Sequence, residues 1–225
     1  MTWSWSSFLE YLVSPYMLAG AWTTLWLSCA SMAMGVVLGF VAALMKMSRS
    51  RVLRGIGGFY VWLWRATPLL IQLVIIYTGL PQLGIRLGVI QSALLGFALN
   101  EGAYFAETMR AGITSVGSGQ IDAARALGLR PFATMRLVIL PQAARVVIPP
   151  LGNQFNGMLK SSSLASVISM EELLRHAQQL AQIEFRVLEV YLVAALYYIA
   201  LTTAWGEVQK RIERHYGRAY LPSPA

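Results

Sequence analysis

The chain has 225 residues, of which 56% are hydrophobic and only 12% are charged, and its formal net charge is +8. Soluble domains carry roughly 25% charged residues, so this composition argues against a soluble globular protein and predicts a surface that lies mostly in lipid. The positive charge does not indicate nucleic-acid binding, because the sequence shows no basic stripe with interleaved aromatic residues. A single cysteine, Cys29, excludes an intrachain disulfide bond.

Hydrophobic segments follow one another along the chain, and a helix needs about 20 such residues to cross a hydrocarbon core of about 30 Å. The predicted spans are residues 19–44, 57–80, 88–111, 146–168 and 188–206. The predicted fold class is therefore an all-α integral membrane protein of five transmembrane helices, with residues 17–209 forming one membrane domain. We expect residues 1–8 and 221–225 at the two ends to lack fixed structure.

The basic residues predict the orientation, because loops that stay in the cytoplasm are enriched in Lys and Arg. The loop after the first span, the segment between the third and fourth spans and the C-terminal tail hold four, five and four of the 18 basic residues. Five spans then place the N-terminal segment 1–16 outside and the tail 210–225 in the cytoplasm. A four- or six-span arrangement would put the basic tail and the basic first loop on opposite sides.

Residues 115–145 form the long cytoplasmic loop of this arrangement and carry the most informative pattern. Ser118 is predicted to cap a short helix, residues 120–127, and Gly128 to end it in the left-handed conformation. Pro131 suits the first turn of a second short helix. The first helix would then present an apolar face that needs a partner, formed by Ile121, Ala124, Leu127 and Leu129.

The same loop resembles the EAA loop of ATP-binding-cassette importer permeases, whose pattern is EAA, three residues, Gly, nine residues, Ile, one residue and Leu-Pro. The matching residues are Asp122-Ala123-Ala124, Gly128, Val138 and Leu140-Pro141, with Asp in place of Glu and Val in place of Ile. Three more segments are similar to the second, third and fourth spans of the permeases for polar amino acids such as histidine, glutamine, arginine and glutamate: WRATPLLIQLVIIYTGLP, NEGAYFAETMRAGI and PPLGNQFNGMLKSSSLASVI.

The resemblance implies the type I importer permease fold, dimeric in its complex, in the bacterial inner membrane. It also implies alternating access, with polar amino acids delivered by an external solute-binding protein. Two copies of a separate ATPase and a second permease chain, identical or related, would complete the importer. Because the chain has no GxxxxGK[ST] pattern, we expect no enzymatic activity and no bound cofactor in this chain, and ATP and Mg would be used by the ATPase.

In this family the loop docks into the ATPase. The alternative interpretation is that residues 115–145 are an ordinary cytoplasmic connector. Asp122 would pair with a basic residue of the ATPase or cap its own helix, and both options stay open. The coupling residues that the resemblance implies are Gln120, Asp122, Ala123, Ala124, Leu127, Gly128 and Pro141.

Polar side chains inside the spans predict a path for the substrate, because a charge at mid-membrane costs about 2.5–3.5 kcal/mol even on insertion scales. Asn100, Tyr104 and Glu107 recur at helical spacing and share one stripe, which Glu101 flanks. Glu107 has the alternative of pairing with Arg110 one turn on. The predicted pathway residues are Gln72, Asn100, Glu101, Tyr104, Glu107, Gln154, Lys160 and Ser162.

Several polar residues keep two interpretations. Lys160 attracts the substrate carboxylate or extends its side chain to the outer interface. Arg65 is expected low in the second span, near the cytoplasmic interface. Residues 169–186 are an interfacial helix that meets the binding protein or a solvated connector. His176 and His215 are assigned no role.

Two other functional classes make different predictions. A secondary transporter or channel would contain broken half-helices in matching repeats, and the sequence shows no internal repeat. A membrane enzyme would need a clustered catalytic set or metal-ligand spacing, and neither is present in the sequence.

Overall fold

The computed structural model describes residues 3–217, which form helices and contain no strand. The expectation for residues 221–225 lies outside this range. The α-helices are α1 Trp5–Leu12, α2 Pro15–Lys46, α3 Arg51–Ala66, α4 Leu69–Val74, α5 Val89–Thr114, α6 Ser118–Ala126, α7 Pro131–Thr134, α8 Leu140–Ser161, α9 Leu173–Glu184 and α10 Val187–Gly217. The predicted all-α character is therefore confirmed over the described residues.

The N-terminal segment is helical from Trp5 onward, so the expectation that it lacks structure up to residue 8 is wrong. Ser4 caps α1 by accepting a hydrogen bond from the backbone N–H of Ser7. The hydroxyl of Tyr197 in α10 donates a 2.7 Å hydrogen bond to the carbonyl of Leu12. The second of these hydrogen bonds ties α1 to α10.

Within residues 3–217, three helical runs are long and apolar enough to cross a membrane: Pro15–Lys46, Pro131–Ile168 and Val187–Tyr216. The bent pair Arg51–Ala66 and Leu69–Leu83 adds a fourth if the pair is one span. Helix α5 has 26 residues and is about 39 Å long at 1.5 Å per residue. It is not among the three runs above, and more than half of its residues are buried by the other helices.

Helices α2 and α5 pack along their length through small residues. A Cβ atom placed on Gly39 of α2 would lie 2.6 Å from the Cβ of Phe105 and 2.9 Å from the carbonyl oxygen of Gly102, both in α5. Only hydrogen at this position permits such an approach. Phe105, Ala106 and Ala103 of α5 are completely buried, so this contact forms the core around which the other spans are arranged.

The second predicted span, residues 57–80, is not one helix, and it is interrupted at Pro68, as the proline in the sequence indicates. Helix α3 ends at Ala66, and the chain turns by 105° before it continues. Thr67 has extended backbone angles, and Pro68 has no N–H to donate, as expected for a residue before proline and for proline itself. After α4 the helix widens into a π turn, Ile75–Gly79, and then tightens into a 3₁₀ turn, Leu80–Leu83.

Residues 115–145 hold one separate short helix rather than two. Helix α6 begins after Gly117 with no side-chain cap, so the capping role predicted for Ser118 is wrong. Pro131 does occupy the first turn of α7 as predicted. However, α7 continues through a π turn into α8, so that residues 131–168 form one helical run. The fourth span thus starts about four turns earlier than the predicted residue 146.

Helix α9 packs against α2 and α10, so residues 169–186 are not a solvated connector. Glu172 is fully buried and accepts hydrogen bonds from the backbone N–H groups of Leu174 and Arg175 and from the hydroxyl of Tyr198. Burial raises the pKa of the Glu172 carboxyl despite these donors. The buried ring of His176 stacks on Tyr16, and its Nδ1 lies 2.7 Å from the carbonyl oxygen of that residue.

Candidate functional site

Helix α6 ends as the sequence predicts, at a glycine in the left-handed conformation. Gly128 has φ +73°, and its N–H donates to the carbonyl of Arg125 at 2.9 Å. The N–H of Leu129 donates to the carbonyl of Ala124 at 3.1 Å, which closes the last turn in the way that glycine-ended helices use. Backbone groups alone therefore satisfy the end of this helix.

One side of α6 is covered by this chain itself, which corrects the prediction that its whole apolar face needs a partner. Ala124 is only 3% exposed. Ile121 packs on a cluster formed where α5 ends and α8 begins, by Ile113, Val116, Ile139 and Ala143. Asp122 forms an exposed 3.1 Å ion pair with Arg125 in the same helix. The inner side thus fixes α6 to both α5 and α8.

The other side of residues 115–145 is exposed. Leu127 is 80% exposed and Phe132 is 77% exposed, although both are large and apolar. Ala123, Gln120 and Pro141 are exposed on the same segment. We call Leu127 and Phe132 the apolar tip. Sequence reasoning singled out Leu127 but not Phe132, which comes directly after the predicted helix start at Pro131.

A cavity of about 550 Å³ lies behind α6, between that helix and the start of α8. The side chain amide of Gln142 donates to the side chain of Gln120 across it at 3.4 Å. The other lining residues are Ser115, Val116, Gly117, Arg145, Val146 and Tyr216. Helix α6 is therefore held to α8 by its apolar side and by one polar contact.

A second group of predicted residues meets at the break between α3 and α4. The amide Nε2 of Gln72 donates to the carbonyls of Trp64 and Thr67, at 2.9 and 3.0 Å, and to the hydroxyl of Thr67 at 2.7 Å. The amide Nδ2 of Asn100 donates to Oε1 of Gln72 at 2.9 Å and to the carbonyl of Trp64 at 3.1 Å. We call Gln72 and Asn100 the amide clamp. Both side chains are buried, and they satisfy the carbonyls that the break leaves without helical partners.

Beside the amide clamp, Arg65 and Tyr104 stand together on the surface of the isolated chain. The guanidinium carbon of Arg65 lies 5.1 Å from the centre of the Tyr104 ring, which is the geometry of a cation–π contact. Tyr104 is 39% exposed on a helix that is otherwise largely buried. Arg65 lies in the last turn of α3, and its expected position near the cytoplasmic interface stays a prediction.

The two glutamates of α5 have different surroundings. Glu107 pairs with Arg110 at 2.9 Å and also with Lys46 at the end of α2, which bears out the alternative that this residue fixes the helix end. Glu101 is buried and packs against Gly35 of α2. The predicted stripe therefore divides, with Asn100 and Tyr104 facing the end of α3 and Glu107 facing the end of α2.

The polar residues of α8 face in several directions. Nε2 of Gln209 in α10 donates to the side chain oxygen of Asn153 at 3.0 Å, and the indole N–H of Trp205 donates to the carbonyl of Gly152 at 2.8 Å. Gln154 is half-buried, and its side chain oxygen is buried without a hydrogen-bond partner among the described residues. Lys160 is exposed at the last turn of α8. Ser162 is buried and donates to the carbonyl of Leu159.

Sequence reasoning missed His176 as a packing residue and did not place Arg65 beside the ring of Tyr104. The apolar spacing of α9 gave no signal for His176, since its partners lie in α2, some 160 residues away in the chain. Pro68 is the local signal that α3 ends close to Arg65, because a proline three residues after Arg65 is compatible with a helix that ends at residue 66.

Comparisons with known proteins agree with this geometry. Residues 35–218 match the family described as binding-protein-dependent transport system inner membrane component. The chain is 40% identical over 202 residues to the probable amino-acid ABC transporter permease protein YckA of Bacillus subtilis, covering 90% of this chain and 89% of that protein. It is 40% identical over 205 residues to the L-cystine transport system permease protein TcyB of the same organism, covering 91% and 88%.

Solved structures show the same fold. A chain in the crystal structure of an amino acid ABC transporter with histidines superposes with a TM-score of 0.89 at 37% identity, over 96% of this chain and all of that chain. A chain of the MetNI methionine ABC transporter, 22% identical, superposes with a TM-score of 0.76 over 89% of this chain and 96% of that chain. The predicted importer permease fold is thus confirmed.

Proposed function

This chain belongs to the family of binding-protein-dependent transport system inner membrane components, and from that premise we propose that it is the permease subunit of an ATP-driven importer of polar amino acids. The names of its relatives support the substrate class, since they include permeases of systems for arginine, 37% identical, and for L-cystine, 40% identical. A zwitterionic amino acid with a polar side chain is the chemistry that these names share.

The apolar tip is the observation that carries the coupling role. A large leucine and a phenylalanine exposed on an aqueous surface cost free energy unless a partner covers them, at about 25 cal/mol per Å² of apolar area. The partner in this proposal is an ATPase subunit, one for each of two permease chains, which uses ATP and Mg while this chain contributes no catalysis. Ala123, Gln120 and Pro141 of the same segment are also exposed.

Motion of the ATPase would reach the membrane through α6. Only residues 115–117 separate α6 from α5, and Ile121 fixes α6 to the start of α8. Closure of the ATPases would therefore move both helices and expose the substrate path alternately to the two sides. Loading by a binding protein outside fits an N-terminus outside and a C-terminus in the cytoplasm, the orientation that the basic residues favour.

The substrate path itself would lie along the side of α5 that carries the partly exposed Tyr104. Tyr104 and Gln154 are the predicted pathway residues with polar atoms that the chain does not fully engage, whereas Asn100 and Gln72 support the path from behind. Glu101, Lys160 and Ser162 remain further candidates for contact with the substrate.

Replacing Gly128 by valine tests the coupling role. The left-handed conformation costs a residue with a Cβ about 1–2 kcal/mol, and a β-branched residue is especially disfavoured there. A Cβ at Gly128 meets nothing within 4 Å, so the variant should still fold but with α6 ended differently. We expect ATP-coupled uptake in proteoliposomes to fall at least about tenfold, since a 1.4 kcal/mol change in one docking equilibrium already gives that factor.

Gly55→Val is the matched control, because Gly55 also meets nothing within 4 Å but lies in the exposed part of α3 with helical angles. Its uptake should stay near that of the unaltered chain. Unchanged uptake by Gly128→Val would remove the coupling role from α6. Absence of amino acid uptake by the unaltered chain with its ATPase and binding protein would instead refute the substrate class.

A further inference from the structure

Helix α1 exposes a line of large apolar side chains. Residues advance by about 100° around an α-helix, so the surface of α1 divides into three lengthwise stripes. The first packs into the core cluster formed with α2, α9 and α10 and consists of Phe8, Tyr11 and Leu12. The second, which we call the apolar stripe, consists of Trp5, Leu9 and Val13, which are 68%, 57% and 72% exposed. The third is polar and exposed and consists of Ser6 and Glu10.

Hydrogen bonds at both ends of α1 keep the apolar stripe turned outward. The backbone N–H of Ser4 donates to Oε1 of Glu189 in α10 at 3.1 Å. The hydroxyl of Tyr197, further along α10, donates to the carbonyl of Leu12 at 2.7 Å. Because α1 is held at its start and at its end, it cannot rotate to bury the stripe within this chain. A partner outside the chain must therefore cover it.

The turn between α9 and α10 exposes a second apolar element at the same end of the bundle. Phe185 has φ +55°, a left-handed conformation that is uncommon for a bulky residue and that glycine or asparagine usually adopts. Its side chain is 71% exposed, so packing within the described chain does not offset the cost of this conformation. Ile183 and Val187, on either side of it, are exposed as well. The advantage of a phenylalanine here must also come from contacts outside the chain.

Both elements lie where helices enter the bilayer. Only Val13 and Ser14 separate α1 from α2, and only residues 185 and 186 separate α9 from α10. Helices α2 and α10 are each long and apolar enough to cross a membrane. Their first turns continue to expose large apolar side chains, among them Leu18, Trp22 and Leu188. The apolar stripe and Phe185 therefore continue the surface that these two spans present to lipid.

We propose that α1 lies along the membrane surface at the end of the bundle where α2 and α10 enter, with the apolar stripe in the boundary between headgroups and acyl chains. Ser6 and Glu10 then face water, and the Phe185 ring enters the same boundary beside α1. Tryptophan favours this depth, because its ring is apolar and its N–H is polar. A helix whose exposed surface is divided lengthwise into an apolar and a polar stripe fits a boundary between two solvents. Docking of a protein does not require such a division.

Spin labels on introduced cysteines test the proposal in the full chain, purified with its ATPase in nanodiscs of phosphatidylethanolamine and phosphatidylglycerol. Cys29 is the one cysteine of the chain, so Cys29→Ser provides a background without reactive thiols. Leu9→Cys and Phe185→Cys place labels on the two apolar elements, and Glu10→Cys is the matched control on the polar stripe of the same helix. Collision of each label with oxygen, which concentrates in lipid, is compared with collision with a water-soluble nickel chelate.

We expect the labels at positions 9 and 185 to collide mainly with oxygen, at a depth of about 5–10 Å below the phosphates, and the label at position 10 to collide mainly with the nickel chelate. All three side chains are exposed, so the variants should fold, as their elution and ATP hydrolysis will show. Val13→Cys provides a second measurement on the apolar stripe if a label at position 9 disturbs α1.

Three results would overturn the proposal. If the nickel chelate reaches positions 9 and 13 as readily as position 10, α1 lies in water. If position 9 becomes shielded only after the solute-binding protein is added, the stripe is a docking surface for that protein. If labels at position 9 broaden one another's spectra and are shielded in detergent as well as in lipid, a second permease chain covers the stripe.

Discussion

The end of α6 at Gly128 and the end of α3 at Pro68 are both helix stops, but they are built in different ways. At Gly128 the chain is exposed, and backbone N–H groups within five residues satisfy the last carbonyls. At Pro68 the break lies within the second predicted span, and the carbonyls of Trp64 and Thr67 depend on buried side chains from α4 and α5. Water can replace a lost partner at the first stop and cannot do so at the second.

This difference suggests separate roles for the two helix ends: the exposed one in coupling to the ATPase, and the buried one in fixing the arrangement of the helices. The exposed stop can change with little effect on stability while it changes the surface on which we propose that the ATPase docks. The buried stop fixes the position of Arg65 and the angle of the second span, so a change there affects folding and transport together. Substitutions with graded effects on stability can test this division.

The largest loss of stability is expected at the α2–α5 contact that supports the buried stop. In Gly39→Val, the new Cβ would meet the carbonyl of Gly102 at 2.9 Å and the backbone N of Ala106 at 3.0 Å, and backbone atoms cannot move aside. Overpacking typically costs 1–3 kcal/mol, and we expect about 3 kcal/mol or more here. Thermal unfolding in detergent, followed by size-exclusion chromatography, measures it.

Gly58→Val is the control for that variant, because a Cβ at Gly58 meets nothing within 4 Å. It should unfold within a few degrees of the unaltered chain. Equal unfolding temperatures for Gly39→Val and Gly58→Val would show that the two helices separate more easily than the described packing allows, and α5 would lose its central role.

An intermediate loss is expected when the amide clamp is removed. Gln72→Leu removes the side-chain donor to the carbonyl of Thr67, and Asn100→Leu leaves the buried Oε1 of Gln72 without its donor, at a cost of about 1–3 kcal/mol each. Because the two amides bond each other at 2.9 Å, the double variant should lose less than the sum of the single losses, by at least about 0.5 kcal/mol. A double-variant cycle measured by reversible unfolding gives this coupling energy.

Thr78→Val serves as the control in the same part of the second span. The hydroxyl of Thr78 is exposed and bonds only the carbonyl of Val74 in its own helix. Its removal should be nearly neutral. Strictly additive losses in the cycle would mean that Gln72 and Asn100 act separately and that the break needs only one of them.

The contrast between the two helix ends also explains which features could be predicted from the sequence and which could not. Gly128 and Pro131 act through neighbouring backbone, so their positions could be inferred from local pattern, and the apolar lengths of the spans predict the membrane fold. The clamp joins Gln72 to Asn100, 28 residues apart, and no local period links them. The burial of Ile121 and Ala124 also depends on tertiary packing. The helical period alone predicts that these residues lie on a face that needs an outside partner, but this chain itself covers them.

The smallest loss of stability is expected at Asp122. The sequence leaves open whether this carboxylate pairs with the ATPase or serves its own helix, and variants with a small effect on stability can separate the two. Asp122 and Arg125 form an exposed ion pair at 3.1 Å, and such pairs contribute about 0.2–1 kcal/mol. Asp122→Asn and Arg125→Gln should therefore each shift unfolding by less than about 1 kcal/mol, and by similar amounts, because each removes the same pair. If Asp122 serves only its own helix, the two variants will also match in ATP-coupled uptake. If its carboxylate instead pairs with a basic residue of the ATPase, uptake will fall several-fold in Asp122→Asn and hold in Arg125→Gln. Since stability is nearly equal in both variants, a difference in uptake between them can arise only at the docking surface.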